Sequence, residues 1–184
     1  MLFFLYLLFM VSMTSSHDPT ETFPHKATLD PNYHIFWKTN QSSITFEAHV
    51  AAHGYVGFGL TANASGAMYP GDVVMGYVSN GQSYFGDYHT DRHGQPIRDG
   101  SQDWTLLLAT EDNEGTIMKF SRALHTRDKP DDIDINSGIS HVIWSYSRED
   151  PIAPTNYTYH RALRGSMDLE LVSGGGTPVG RALL

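Results

Sequence analysis

Short stretches in which apolar and polar residues alternate recur along most of the chain, each cut off by turn-forming residues. Tyr33–Lys38 and Ser43–Ala51 alternate on either side of Thr39-Asn40-Gln41-Ser42, which predicts two antiparallel strands joined by a hairpin. Tyr55–Leu60, Asp72–Val78 and Gln82–His89 predict three more. The last two meet at Asn80-Gly81, the dipeptide that best supplies the positive φ angles of a tight hairpin. Trp104–Thr110 and Thr116–Arg122 flank the acidic turn Glu111–Gly115, and His141–Tyr146 and Met167–Val172 complete the set. The Asp-rich segment Thr126–Ser137 reads as a loop with room for one helical turn. Short strands at this regular spacing, with almost no segment of helical period, predict an all-β sandwich or barrel.

One predicted strand departs from plain alternation. Gly54-Tyr55-Val56-Gly57-Phe58-Gly59-Leu60 places glycine at every second or third position, which strips side chains from one face and lets another group approach the backbone. It runs into the loop Gly66-Ala67-Met68-Tyr69-Pro70-Gly71-Asp72, which carries a thioether and a carboxylate.

The two ends of the chain read differently from its middle. Residues 2–11 form an unbroken apolar run followed by Ser12-Met13-Thr14-Ser15-Ser16, too short to span a bilayer and followed by small residues. A signal peptide over 1–16, cleaved near Ser15 or Ser16, and a secreted or secretory-lumen location are expected. Sequons at Asn40, Asn63 and Asn156 agree with that compartment and are candidate glycosylation sites. From Ser173 the pattern dissolves into a Gly-rich segment, expected to be a flexible tail over 173–184. The formal net charge of -8, with 12 scattered basic residues, argues against nucleic acid or an anionic membrane surface as a partner. No transmembrane span is expected. The absence of cysteine leaves the core alone to hold the fold and removes thiolate metal sites and cysteine nucleophiles.

Two residue pairs stand out as candidate ligands. Asp72 and Asp103 each begin a predicted strand, and hairpin topology can bring the two strand ends to one end of a sandwich. Carboxylates with backbone carbonyls suit Ca²⁺. On the residues alone, the plainer reading is two turn-forming aspartates. Met68 stands in a loop of small residues beside the glycine-rich strand, and His160 lies in the last loop before the final strand. A thioether paired with an imidazole is an axial ligand set for haem, here non-covalent because Cys-x-x-Cys-His is absent. His89 and His93 are four apart, but in a strand-to-turn segment rather than on a helical face. No Gly-x-Ser-x-Gly, His-x-His or His-Glu-x-x-His occurs, so no catalytic residue is assigned.

Taken in order, Gly54-Tyr-Val-Gly-Phe-Gly59, Gly66-Ala-Met68, Asp72-Val-Val74, Tyr84-Phe-Gly-Asp-Tyr88, Gln102-Asp-Trp104, Phe120–Thr126 and Val142-Ile-Trp144 resemble the DOMON domain. More narrowly, they resemble the N-terminal DOMON domain of the dopamine β-hydroxylase-like monooxygenases. The resemblance runs from about Thr28 to Val172 and implies an immunoglobulin-like antiparallel β-sandwich in the secretory pathway. It implies a metal site, Ca²⁺, from the carboxylates of Asp72 and Asp103 and the backbone carbonyls of Val73 and Tyr88. In haem-binding relatives it implies haem b held by residues at the positions of Met68 and His160. The family's copper ligands and hydroxylation chemistry reside in two further domains. Copper is therefore not expected on this chain, and those domains are expected partners if the chain is a fragment. A family cysteine that tethers the domain to the catalytic region is Arg127 here. The expectation is a monomeric, non-catalytic binding or regulatory module from a truncated form of such an enzyme.

Overall fold

The computed structural model describes residues 18–172; the expected signal peptide and tail lie outside the described residues. Eleven strands follow one another: β1 His25–Asp30, β2 Tyr33–Thr39, β3 Ser43–Val50, β4 Val56–Thr61, β5 Gly71–Ser79, β6 Gln82–Thr90, β7 Ile97–Arg98, β8 Thr105–Asp112, β9 Gly115–Ala123, β10 Ile139–Tyr146 and β11 Arg164–Glu170. They form two antiparallel sheets, five strands in the order β1-β2-β3-β9-β8 and six in the order β11-β10-β4-β5-β6-β7. Among the described residues there is no helix, so none is long and apolar enough to cross a membrane. The expected sandwich is the observed one.

All nine predicted strands are present within a few residues of their expected bounds. At Asn80 and Gly81 the φ angles are 51° and 75°, the two positive values that the hairpin chemistry demands, and the turn sets a regular register from Gly71↔Thr90 to Ser79↔Gln82. Two strands were not predicted. In β1 only Ala27 and Leu29 face inward, and β7 is a two-residue edge piece, so neither carries enough alternation to show. Thr126–Ser137 is a loop whose single turn closes through Asp132 N–H to the Asp128 carbonyl at 2.9 Å.

The core lies between the sheets. Phe46, Phe58, Phe120 and Trp104 form its aromatic centre, with ring centroids 4.7 Å apart for Phe46–Phe58 and 5.5 Å for Trp104–Phe120. Strand parity then decides the other faces. On the five-stranded sheet, Phe46 and Ala48 enter the core while Glu47 and His49 face out. That outer face is closed by the segment before β1: Thr20 N–H donates to Glu47 at 2.7 Å, and Lys119 lies 3.3 Å from the same carboxylate.

The six-stranded sheet is apolar on both faces. Val56, Phe58, Val74, Val142 and Trp144 belong to the core, whereas Val73, Met75, Tyr88 and Ile143 form a second cluster on the outer face with Tyr55, Tyr77 and Tyr157. The glycines of β4 alternate with core residues, so this outer face has a floor without side chains at Gly57 and Gly59. A Cβ on Gly59 would stand 2.2 Å from the Asp72 carbonyl oxygen and 2.6 Å from Val73 Cα, which only a shift of backbone relieves. Gly59→Ala is accordingly expected to push β4 from β5 and to destabilise the domain by about 1–3 kcal/mol, as overpacking does. Urea unfolding checks this; an unchanged midpoint would mean that the two strands do not approach so closely.

Candidate functional site

Two groups of side chains stand out, one on each side of the six-stranded sheet. The first lies at the end of the sandwich where β5, β6 and β9 meet the 126–137 loop. Asp72 is on the inner face of β5, fully buried, and its carboxylate is fully engaged. Trp104 Nε1–H donates to it at 2.9 Å, Ile133 N–H at 3.0 Å, and the Arg122 guanidinium forms a buried ion pair with it. Arg122 also donates to the Ile133 carbonyl at 2.6 Å and lies 5.0 Å from the Trp104 ring centroid.

Around this pair stand further buried carboxylates with too few partners. Asp87, opposite Val74 in β6, is fully buried; its Oδ2 accepts from Asp103 N–H at 2.9 Å, while its Oδ1 has no partner. Asp132 is 2% exposed, and neither of its oxygens has a hydrogen bond of normal geometry. One oxygen each of Asp99 and Asp103 is buried and unpaired as well. Ligand atoms of Asp72, Asp87 and Asp132 lie within 4.8 Å of one another, as do those of Asp103, Asp128 and Asp132. Burial, reinforced by repulsion from Asp72, Asp132 and Asp99, pushes the Asp87 carboxyl up to about 8 despite the Asp103 N–H. Burial likewise pushes Asp132 up to about 6, the nearby Thr126 hydroxyl and Arg122 offsetting only part. With all three ionised, the carboxylates facing one guanidinium leave a deficit of two positive charges, and an unpaired buried oxygen is costly.

Of the expected metal residues, Asp72 and Asp103 are thus brought to one cluster, and Val73 and Tyr88 lie directly opposite each other in the β5–β6 register. The oxygens of Asp72 are already taken by protein donors. Asp87 and Asp132 were missed by sequence reasoning. Asp87 shares the parity of Phe85, which is half-buried against the core, and a carboxylate on the core side of a strand was the available signal. Asp132 was hidden in a loop already rich in Asp.

The second group borders a cavity of about 720 Å³ on the outer face of the six-stranded sheet. Gly57, Val73, Met75 and Ile143 are among the sheet residues that line it, and Met68 and His160 both border it, from different loops. The β4–β5 loop is fixed by Gly66, whose φ of +74° places it in the left-handed region, and by threonine hydroxyls. Thr61 donates to the Ala67 carbonyl at 2.7 Å and Thr90 to that of Met68 at 2.5 Å. Tyr55 holds the β10–β11 loop through its hydroxyl, 2.9 Å from the Thr158 carbonyl, and Gln95 donates to the Tyr157 carbonyl at 2.9 Å. His160 Nδ1 lies 3.2 Å from the Arg161 carbonyl, which can only accept. Where that contact is a hydrogen bond, Nδ1 carries the proton and Nε2 keeps its lone pair. Burial lowers the pKa of His160 and so favours the neutral ring.

The three sequons occupy connections: Asn40 in the β2–β3 turn, Asn63 in the β4–β5 loop, and Asn156 in the β10–β11 loop. Asn40 and Asn156 are exposed, and Asn63 is half-buried.

Comparison with known proteins agrees with this architecture. The DOMON domain family model matches residues 29–147. The chain is 39% identical over 153 residues to DBH-like monooxygenase protein 1 of Gallus gallus, covering 82% of this chain and 24% of that protein. It is 36% identical over 162 residues to the Homo sapiens protein of the same name, covering 87% and 26%. It is 30% identical over 150 residues to Bos taurus dopamine beta-hydroxylase, covering 78% and 24%. The chain thus spans about a quarter of the length of these relatives. Among solved structures, the cytochrome domain of Myriococcum thermophilum cellobiose dehydrogenase superposes with a TM-score of 0.59 at 13% identity, covering 76% of this chain and 75% of that one. The cytochrome b domain of pyranose dehydrogenase from Coprinopsis cinerea gives 0.58 at 14%, covering 75% of each. At that identity the likeness concerns the fold. This chain belongs to the DOMON family and is a homologue of the DBH-like monooxygenase proteins across that domain.

Proposed function

We propose that this chain is a cation-bearing, non-catalytic binding module of a DBH-like monooxygenase, acting in the secretory pathway. The observation that carries the reading is the set of buried, unpartnered carboxylate oxygens on Asp87 and Asp132 beside Asp103. A hard dication satisfies those oxygens and cancels the charge deficit, and an all-oxygen donor set suits Ca²⁺. Asp87, Asp103 and Asp132 would hold the ion, and the Val73 and Tyr88 carbonyls implied by the resemblance would supply further oxygens. Asp72 would serve as the anchor that holds Arg122, Trp104 and the 126–137 loop in place. The ion's role is then structural: it joins β6, the start of β8 and the loop into one rigid rim. Glycans on Asn40, Asn63 and Asn156 belong to the same secretory reading. Catalysis by the whole enzyme would rest on copper domains outside this chain.

A second reading concerns the outer-face cavity, because Met68 and His160 border it together. The volume, the apolar floor and a neutral histidine with a free Nε2 fit haem b held by these two side chains. The cytochrome b domains that share the fold make this the natural cofactor to test. Haem, when bound, supplies one-electron redox chemistry. The chain's own part is to present thioether and imidazole and to offer Arg164 at the cavity margin as a cation for a carboxylate.

Three outcomes follow. Ca²⁺ at about 100 times its Kd is expected to stabilise the domain by about 2.7 kcal/mol, roughly 5–10 °C in Tm, and EDTA to reverse it. Thermal melts check this. An equal midpoint with Ca²⁺ and with EDTA would remove the calcium reading, and Asp132→Asn is expected to abolish the shift.

Without metal, the raised pKa of Asp87 has a definite sign. The unfolded carboxyl ionises near 4, whereas the folded one holds its proton up to about 8. Between those values the native state binds more protons, so the Asp87 contribution falls as pH rises and levels off above about 8. In EDTA, Asp87→Asn is therefore expected to match the wild type near pH 4 and to exceed its Tm near pH 8 by a few degrees, on the order of 1 kcal/mol. A variant less stable than the wild type at both pH values would contradict the repulsion argument.

For the cavity, haem titration is expected to yield a Soret band that His160→Ala abolishes and Met68→Ala shifts. Protein that stays colourless at haem excess would dismiss the haem reading and leave the calcium one untouched.

A further inference from the structure

A third group of polar side chains lies near the acidic cluster but differs from it in chemistry. His89, Asp99 and Asp131 bring ligand atoms within 4.8 Å of one another. His89 is near the end of β6, Asp99 follows β7, and Asp131 stands in the 126–137 loop. His89 Nδ1 pairs with Asp99 Oδ1 and lies 3.8 Å from Asp131 Oδ1. The loop serves two clusters through neighbouring residues: Asp131 meets His89, while Asp132 joins Asp72 and Asp87.

An ion pair between a protonated His89 and Asp99 leaves two facts unexplained. Asp99 has a fully buried side chain, and its Oδ2 has no partner even with Oδ1 on the imidazole. Protonated His89 with two carboxylates also remains one charge short of neutral, whereas a dication with neutral imidazole closes the balance. The donor set is one nitrogen and carboxylate oxygens. Ca²⁺ takes oxygen ligands alone, but Zn²⁺ and other divalent d-block ions bind imidazole together with carboxylate. The site also has a way in: the side chains of His89 and Asp131 are 22% and 36% exposed, leaving room for a water ligand.

We propose that His89, Asp99 and Asp131 form a second cation site, selective for a divalent d-block ion such as Zn²⁺, next to the all-oxygen cluster. Asp99 is its buried anchor, His89 its selectivity determinant, and Asp131 its half-exposed ligand, contributed by the loop that also carries Asp132. The site stands independently of whether the neighbouring cluster takes Ca²⁺.

The test is calorimetric titration of the whole chain with Zn²⁺ in excess Ca²⁺, paired with ¹⁵N NMR of the imidazoles, because the chain has 10 histidines. The expected result is one Zn²⁺ bound with a shift of the His89 ring nitrogens and no loss of bound Ca²⁺. His89→Ala is expected to weaken that binding roughly tenfold or more while the protein stays folded. Asp131→Asn, at a half-exposed position, is expected to weaken it too. Undiminished Zn²⁺ affinity in His89→Ala, absence of Zn²⁺ binding to the wild type, or Zn²⁺ binding only by displacing Ca²⁺ would each overturn the proposal.

Discussion

The buried ion pair between Asp72 and Arg122 is the constraint on which the acidic end of the sandwich depends. Asp72 belongs to β5 in the six-stranded sheet and Arg122 to β9 in the five-stranded one, so their contact ties the two layers together at one end. The same two side chains hold the 126–137 loop through the Ile133 N–H and carbonyl, and Trp104 caps the pair from the start of β8. Desolvating two charges is expensive, and such a pair adds little net stability over an apolar replacement. What it supplies here is position. The loop that it fixes delivers Asp131 and Asp132, so the placement of those two carboxylates follows from where Arg122 and Asp72 meet.

That arrangement also explains why the cluster is concentrated rather than spread over the surface. The guanidinium donates to Asp72 and to the Ile133 and Ala123 carbonyls, and its charge offsets only part of the burial of Asp132. A buried carboxylate with an unpartnered oxygen has its pKa raised, because burial disfavours the charged form, and burial together with the neighbouring carboxylates pushes that of Asp87 up to about 8. A structural role alone would be served better by asparagine at that position. An aspartate there is consistent with the proposed cation completing its shell.

Much of the sandwich was legible because antiparallel strands with a core on one side alternate visibly, as β2, β3 and β9 do, and because Asn80-Gly81 has one dominant turn geometry. The outer-face cavity was legible in part. The glycines of β4 showed that a face had been cleared, and Met68 and His160 stood out as unusual residues for loops. That both border one cavity was implied by the resemblance and not by any local pattern, since it needs β4 to lie beside β10 in the sheet, a long-range pairing. Asp87 escaped for a related reason. Read along the chain it is one acid among aromatics, and its parity with Phe85 marks the core side only once Phe85 is seen to pack inward opposite β5.

Strand β5 shows how tightly these features are bound to one another. Its even positions, Asp72 and Val74, face inward to the ion pair and the core, and its odd positions, Val73 and Met75, face outward to the cavity. Slipping the strand by a single residue would exchange the two sets, setting a carboxylate against the apolar cavity and removing the partner of Arg122. The Asn80-Gly81 hairpin fixes β5 against β6, and the close approach of Gly59 to the Asp72 carbonyl fixes it against β4. A strand with chemistry on both faces has no neutral register to fall into. The hydrophobic pattern that folds this domain is therefore the same constraint that assembles the acidic cluster on one side of the sheet and the cavity on the other.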